Sequence, residues 1–188
     1  MPNNIEAIYA LGQSVWYDNI SRAMIDSGDL QNLINQGVTG LTANPTIFEK
    51  AISNSNDYDD QLMELALENK SADEIYEELV IQDISAAADL LLPVYNKTLG
   101  IDGYVSLEVS PRLAFDTAGT VEEARKFFNT LNRPNILIKV PATSQGIPAI
   151  QQLISEGINV NVTLIFSLDM YKQVQEAYIS GLEMLSSS

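Results

Sequence analysis

The sequence predicts an α/β protein built from parallel β/α units. Three observations lead to this fold class. Segments with strand composition alternate with amphipathic helical segments, and the strand segments are almost continuously apolar, as in parallel strands covered on both faces. Five strands are expected, and polar residues stand at the carboxyl end of each. If the units close into a barrel, these polar residues lie where active sites are built.

The first two predicted strands are each followed by a helix. Residues 13–19 have the composition of a short strand, and Ser21 is the expected N-cap of a helix that ends at Gly37. The second strand is expected at 37–43. Pro45 then fits the first turn of a new helix, because proline disfavours helix at the residue before it.

The rest of the chain continues this alternation. Two helices are expected at 57–69 and 71–96, the second beginning with a capping box of Ser71 and Glu74. The remaining elements are a strand at 102–111, a helix at 120–132 capped by Thr120, a strand at 135–143, a helix at 144–157, a strand at 158–167 and a final helix from about Leu168. No long linker or low-complexity tract interrupts residues 1–188, so we expect a single domain.

Charge and residue composition exclude several classes of function. The chain has 10 Lys+Arg against 25 Asp+Glu, a formal net charge of −15, which argues against nucleic acid or an anionic membrane as a partner. The absence of cysteine and histidine excludes thiolate chemistry, Ser-His-Asp catalysis and His-bound zinc. The sequence shows no signal-peptide pattern and no window long enough to span a membrane, so a cytoplasmic protein is expected.

The most unusual residue of the predicted strands is Lys139, in the apolar stretch ILIKVPAT at 136–143. Burial of an unpaired ammonium group is strongly unfavourable unless the group becomes neutral. A neutral lysine is a nucleophile at pH 7, so the position indicates covalent chemistry. The alternative is that the side chain reaches solvent or pairs with one of the many carboxylates. The stretch is compatible with both interpretations.

The polar residues at the strand ends offer partners for this lysine. They are Asp18, Asn44, Glu108, Asn161 and Thr163. In a parallel barrel they would share one mouth with Lys139. A Schiff-base lysine needs a carboxylate that shuttles protons and a positioned water, and two carboxylates provide both roles without histidine. Asparagines suit sugar hydroxyls, because each offers donors and an acceptor without charge. The alternative is that Asp18 and Glu108 are ordinary strand-end carboxylates that Lys139 merely balances.

Five segments, in order, resemble the transaldolase family along essentially the whole chain. They are GQSVWYDNISR (12–22), GVTGLTANPTIF (37–48), GYVSLEVSP (103–111), ILIKVPATSQGIPAI (136–150) and INVNVTLIFSLDMY (158–171). The likeness is greatest to the longer bacterial-type members whose first motif begins Trp-Leu-Asp-Asn, with Tyr17 here in place of the leucine. Motifs that recur in order are a far more specific signal than a lone motif.

The resemblance implies a (β/α)8 TIM barrel, of which this chain carries about five β/α units, and a Schiff base on Lys139. It implies that Asp18 is the acid/base at the bond being cleaved, and that Glu108, with Thr163, holds the catalytic water. The residues that it places at the substrate are Asn44 and Asn161 for the hydroxyls of the dihydroxyacetone unit, and Thr42 and Ser106 as lining. It implies no metal and no organic cofactor.

The implied activity is a transferase reaction of the pentose phosphate pathway. A dihydroxyacetone group moves from sedoheptulose 7-phosphate or fructose 6-phosphate to an aldose phosphate such as erythrose 4-phosphate or glyceraldehyde 3-phosphate. The expected partners are therefore small sugar phosphates. Two alternatives stay open: a Schiff-base aldolase that releases dihydroxyacetone to water, and a non-catalytic half-barrel that keeps the family's motifs.

Chain length sets a further expectation. An eight-stranded barrel needs about 250 residues, and this sequence of 188 ends after the fifth predicted strand and its helix, so we expect an incomplete barrel. The family's phosphate-binding serine and arginines lie on later strands, and Arg22 and Arg112 read here as surface or loop residues. The strands at 13–18 and 158–166 would have unpaired edges, which predicts self-association.

Overall fold

Five strands alternate with helices in the computed structural model, which describes residues 3–187. The strands are β1 (Trp16–Tyr17), β2 (Gly40–Ala43), β3 (Val105–Glu108), β4 (Ile136–Pro141) and β5 (Val160–Thr163). Their order in the sheet is their order in the chain, and β1 pairs with β2, and β4 with β5, in parallel. Sequential strands joined by helical crossovers are the arrangement of β/α units. The predicted α/β class is therefore confirmed, and the strand order is that of part of a (β/α) barrel.

The helices of the described residues are α1 (Asn4–Tyr9), α2 (Arg22–Asp26), α3 (Asp29–Asn35), α4 (Pro45–Ser53), α5 (Asp59–Leu67), α6 (Ala72–Lys97), α7 (Thr117–Leu131), α8 (Gly146–Ser155) and α9 (Leu168–Ser186). Three of them, α2, α4 and α6, begin at the predicted cap or first turn. Ser21 caps α2 by accepting a hydrogen bond from the backbone N–H of Met24, and Pro45 occupies the first turn of α4. Ser71 and Glu74 form the predicted capping box of α6. These starts were predictable because capping is a local interaction.

The helix predicted between Ser21 and Gly37 is in fact two short helices. Gly28 separates them with φ +80°, a left-handed conformation that interrupts the helix and that glycine adopts without steric cost. Gly37 does follow the end of α3, with φ +107°, as predicted for a glycine that terminates a helix. The predicted start at Ser21 and the predicted end at Gly37 are therefore correct, but the prediction of one continuous helix between them is wrong.

Two other helix starts differ from the sequence prediction. Asp116, not Thr120, caps α7, because the Asp116 carboxylate accepts from the N–H of Gly119. Thr120 lies inside the helix, buried, and its hydroxyl donates to a backbone carbonyl at 3.0 Å. Helix α1 is not among the predicted elements, although Asn3 and Glu6 form a capping box at its start, a local signal that the sequence contains.

The chain divides into two compact units. The first contains the residues up to Val105 together with Arg133–Asn135, and the second contains Ser106–Asn132 together with the residues from Ile136 on. In the first unit α6 packs against α2, α3 and α5, and part of the core is a cluster of buried side chains on α5, α6 and the turn before α5. In the second unit α8 packs against both α7 and α9. The helices of each unit thus pack against other helices of the same unit.

Strand β4 in the second unit has one fully buried face and one partly buried face. Ile136, Ile138 and Val140 have no exposed surface, whereas Leu137 and Lys139, which alternate with them, are partly exposed. The sequence predicts strands buried on both faces, and this is wrong for β4. It is also wrong for β5, whose residues are all partly exposed. The side of β4 that carries Lys139 is therefore only partly covered by the described residues.

Strands β1 and β5 are the outer strands of the sheet within residues 3–187, so each is paired on one side there. Strand β5 is shorter than predicted, because the chain turns away at Leu164, where φ is +62°. Exposed apolar side chains follow, with Phe166 87% and Leu168 79% exposed. The strand edges that the sequence predicts to be unpaired are therefore the edges of the described sheet.

Alanine substitutions at two glycines of similar backbone conformation distinguish the cost of backbone strain from the cost of a steric clash. Gly12 and Gly103 have φ of +87° and +89°, but a Cβ at Gly12 meets no atom within 4 Å, whereas one at Gly103 would lie 2.2 Å from the backbone nitrogen of Tyr95. We expect G12A to lower the free energy of unfolding by about 1–2 kcal/mol, from backbone strain alone. We expect G103A to lower it by roughly 1–3 kcal/mol more, because the α6 backbone must move. Urea denaturation measures both, and equal losses would contradict the tight contact.

Candidate active site

Lys139 meets a carboxylate on the partly buried side of the sheet in the second unit. Its Nζ lies 3.5 Å from Oε2 of Glu108, and the two side chains are 12% and 18% exposed. A charge-assisted hydrogen bond is normally about 2.7–2.9 Å long. Glu108 therefore neutralises the lysine without fixing its nitrogen in one tight contact. The lysine does not extend into solvent, and the pair fits both charge balance and proton transfer at the nitrogen.

An amide and a hydroxyl stand beside this ion pair. Asn161 is the register partner of Lys139 in the parallel pair of β4 and β5, so both side chains leave the same face. The Asn161 amide donates to Oγ of Ser106 at 3.0 Å, and Ser106 has no exposed surface. Strand β4 lies between the strands that carry these two residues. A side-chain hydrogen bond across an intervening strand requires a curved sheet with this face on its concave side.

Thr163 and Glu108 extend the same face toward the carboxyl ends of their strands. Glu108 is two residues beyond Ser106, and Thr163 is two residues beyond Asn161, so each pair points to one side. Thr163 is the register partner of Pro141 and is partly exposed. The second unit therefore brings together five of the predicted site residues on one concave face, with Lys139 among them.

The loop that follows β4 is fixed by residues that the sequence analysis did not single out. The hydroxyl of Thr143 donates to the carbonyl of Ala114 at 2.6 Å and accepts from the N–H of Gly146 at 2.8 Å. A Cβ at Gly146 would lie 2.0 Å from the carbonyl oxygen of Pro141, so only glycine permits this close approach. These contacts hold the carboxyl end of the strand that carries Lys139. Their sequence signal was the TSQG turn after the strand.

In the first unit the structure brings Asp18 and Thr42 together. Asp18 follows β1, Thr42 lies in β2, and the Thr42 hydroxyl donates to the Asp18 carboxylate. Asp18 is exposed, so one carboxylate is oriented by a neighbour and open to a ligand. Asn44 has a structural function as well: its side-chain oxygen accepts from the N–H of Ile47 at 3.0 Å and caps α4. Its amide N–H groups are the part that a hydroxyl could use.

The first unit also contains a buried polar cluster that the sequence analysis missed. Arg22, predicted as a surface or loop residue, forms an ion pair with Asp83 at 2.8 Å, and its side chain is 13% exposed. The Tyr58 hydroxyl donates to the other Asp83 oxygen at 2.8 Å. Asp83 lies on the buried stripe of α6, between Val80 and Ile84. An acidic residue on an apolar stripe was the available signal, since such a residue needs a partner.

Neither a metal cage nor a membrane span is found in the part of the chain that the structure describes. No group of three or more acidic side chains among residues 3–187 is arranged to hold a metal ion. None of the described helices combines the length and the apolar character needed to cross a bilayer.

A family model and curated relatives that match this chain indicate the same family. The family model described as Transaldolase/Fructose-6-phosphate aldolase matches residues 15–187. A protein named Transaldolase from Trichodesmium erythraeum (strain IMS101) is 48% identical over 182 residues, which are 96% of this chain and 48% of that protein. A Transaldolase from Thermobifida fusca (strain YX) is 50% identical over 184 residues, 97% of this chain and 50% of that protein. The chain thus spans about half the length of the curated relatives it matches.

Proposed function

Because the chain belongs to the transaldolase/fructose-6-phosphate aldolase family, we propose that the protein is a transaldolase with Lys139 as its Schiff-base residue. It transfers a dihydroxyacetone group from a ketose phosphate, such as sedoheptulose 7-phosphate or fructose 6-phosphate, to an aldose phosphate. The observation that carries this proposal is a lysine, 12% exposed, beside a carboxylate on a partly covered sheet face. The proposed reaction belongs to the pentose phosphate pathway, and we propose a cytoplasmic location. The chain is proposed to act as one domain that supplies about five β/α units of the barrel.

Glu108 is proposed to move protons during imine formation. The Lys139 amine attacks the ketose carbonyl, and the resulting carbinolamine loses water to give the imine. Glu108, 3.5 Å from the nitrogen, takes the proton from the attacking amine and returns it to the departing hydroxyl, through one water held with the Thr163 hydroxyl. The same water and carboxylate serve hydrolysis of the imine in the reverse direction.

Asp18 is proposed to act at the carbon–carbon bond. It removes the proton of the hydroxyl next to that bond, and the bonding electron pair moves into the imine to give an enamine while the aldose phosphate leaves. The enamine then adds to the acceptor aldehyde, and Asp18 returns the proton. Thr42 orients the carboxylate by its hydrogen bond. Asn44 and Asn161 bind hydroxyls of the dihydroxyacetone unit, and Ser106, which holds the Asn161 amide, lines the site.

A second candidate is a Schiff-base aldolase that releases dihydroxyacetone to water. The partly open face around Lys139 favours it, because water can reach an enamine or imine there. The matched family also includes fructose-6-phosphate aldolases by its description. Both functions use the same lysine. An assay that measures transfer to erythrose 4-phosphate and free dihydroxyacetone side by side separates them.

Borohydride trapping tests the lysine. With fructose 6-phosphate or dihydroxyacetone, reduction should leave a stable adduct on the tryptic peptide that contains Lys139, as read by mass spectrometry. K139M should abolish the adduct. K172M, at an exposed position of α9, should leave it unchanged. An adduct on another lysine would refute the assignment, and no adduct at all would support a non-catalytic protein.

The two carboxylates should affect different steps. D18A should leave imine formation largely intact and slow carbon–carbon cleavage, whereas E108A should slow imine formation and hydrolysis. Each loss should be about 10²–10⁴ in rate, the usual effect of removing a positioned acid or base. Rapid-quench trapping of the imine, run beside a coupled transfer assay, distinguishes the steps. If both substitutions impaired the same step equally, the assignment of different steps to Asp18 and Glu108 would be wrong.

Self-association of the isolated chain is proposed to occur through the outer strands of the sheet. The exposed apolar side chains after β5 would be covered in such contacts, against the repulsion of a net charge of −15. Sedimentation velocity should show species larger than a monomer that grow with protein and salt concentration. F166E should reduce them, whereas L67E, at a residue 84% exposed on α5, should not. A monomer at all concentrations would contradict the proposal.

A further inference from the structure

The polar cluster of Arg22, Tyr58 and Asp83 lies in the first unit. Its arginine follows Asp18 by four residues in the chain. Two nitrogens of the Arg22 guanidinium, Nε and Nη2, donate to one oxygen of Asp83 at 3.0 and 2.8 Å. The Tyr58 hydroxyl donates to the second oxygen at 2.8 Å. Tyr58 is fully buried, and Asp83 is 2% exposed. We call these three residues the arginine cluster.

The arginine cluster anchors the backbone as well as the side chains. The N–H of Arg22 donates to the Tyr58 hydroxyl at 3.0 Å, so this hydroxyl accepts from the start of α2 and donates to α6. Burial raises the pKa of the Tyr58 phenol above its ordinary value, which keeps the hydroxyl protonated as a donor. The guanidinium also lies 4.6 Å from the centre of the Tyr58 ring and donates to Gln61 on α5 at 2.6 Å. Three helices are joined at one arginine.

The anchored arginine closes a very short segment that carries the exposed residue Asp18. On one side the segment begins at β1, where Tyr17 is paired in register with β2. On the other side it ends at Arg22, and Ile20 between them is completely buried. A segment of this length, fixed at both ends and in the middle, has little conformational freedom left. The position of the Asp18 backbone is therefore determined by these two anchors.

Helix α2 could not supply this anchor unaided. It has five residues, far fewer than an isolated helix needs to be stable in water. Its start is defined by the Ser21 cap and by the contacts of Arg22. A buried ion pair, in turn, is often no more stabilising than apolar side chains of similar volume. What the fork-shaped guanidinium adds is a fixed direction and distance.

We infer that Arg22, held by Asp83 and Tyr58, is a positioning residue for the Asp18 carboxylate in the cleavage step. This inference rests on the proposed function, in which Asp18 is the acid/base at the bond being cleaved. The arginine cluster needs no contact with the substrate to act in this way. It acts because a misplacement of a catalytic group by about 1 Å can lower a rate by about 100-fold.

The test compares cleavage with imine formation in the full-length protein. R22K keeps the charge and loses the fork, and Y58F removes the hydroxyl between Arg22 and Asp83. Each should lower kcat for transfer from fructose 6-phosphate to erythrose 4-phosphate by about 10- to 100-fold. The yield of the borohydride adduct with dihydroxyacetone should stay within about twofold, because forming that imine does not require Asp18. R133K is the control, since Arg133 also donates through two nitrogens to one carboxylate, that of Asp89, at 2.7 and 2.9 Å on the same unit, in a more exposed pair. It should leave transfer unchanged.

A double substitution makes the test specific. In the D18A background, R22K and Y58F should cause no further loss of cleavage, because the group that they position is gone. An undiminished further loss would overturn the inference, and so would equal losses of adduct yield and transfer, which indicate damage to the fold. If R22K does not fold, transfer and adduct yield are compared in Y58F alone. Absence of the Lys139 adduct in the unsubstituted protein would instead refute the proposed function, and the positioning role with it.

Discussion

The alternation of side chains along β4 is the constraint on which the second unit depends. Ile136, Ile138 and Val140 must point to the packed side, because burial of large apolar side chains is the main source of stability, and Lys139 must then point to the other side. A shift of β4 by one residue would bury the ammonium group in place of an isoleucine. The contacts that fix the register of the strand therefore also fix where its chemistry can occur. No further structural feature is needed to direct the Lys139 side chain to that face.

Positive charge is scarce in this chain, and Arg22 and Lys139 are held by their carboxylate partners in different ways. Among the described residues, at least five of the 10 Lys+Arg side chains form ion pairs: Arg22, Lys70, Arg125, Arg133 and Lys139. Arg22 is locked to Asp83 by a fork of short hydrogen bonds, whereas Lys139 stands 3.5 Å from Glu108. A guanidinium held by four hydrogen bonds is suited to hold a backbone in place. An ammonium with a looser partner is suited to change its partner during a reaction.

Local signals predicted much of the fold, and long-range contacts account for what was missed. The caps at Ser21 and Ser71 and the proline at the start of α4 depend on neighbours within a few residues, so the sequence reveals them. The pair of Arg22 and Asp83 joins residues 61 apart, and no local pattern links them. Lys139 and the polar strand-end residues were predicted from the strand pattern, whereas Thr42 and Ser106 came from the family's motifs. The grouping of Ser106 and Asn161 on one face of the second unit depends on the curvature of the sheet, which a list of strands does not contain.

Asn44 connects a helix end to a proposed ligand contact through a single side chain. Its oxygen caps α4 at the N–H of Ile47, while its amide N–H groups are free of that bond. A sugar hydroxyl bound to the amide therefore also holds the oxygen in its capping position. Ligand affinity and the fraying of the first turn of α4 become linked equilibria, so that each shifts the other by the same free energy. The exchange rate of one backbone amide proton, that of Ile47, would then report how fully the proposed sugar site is occupied.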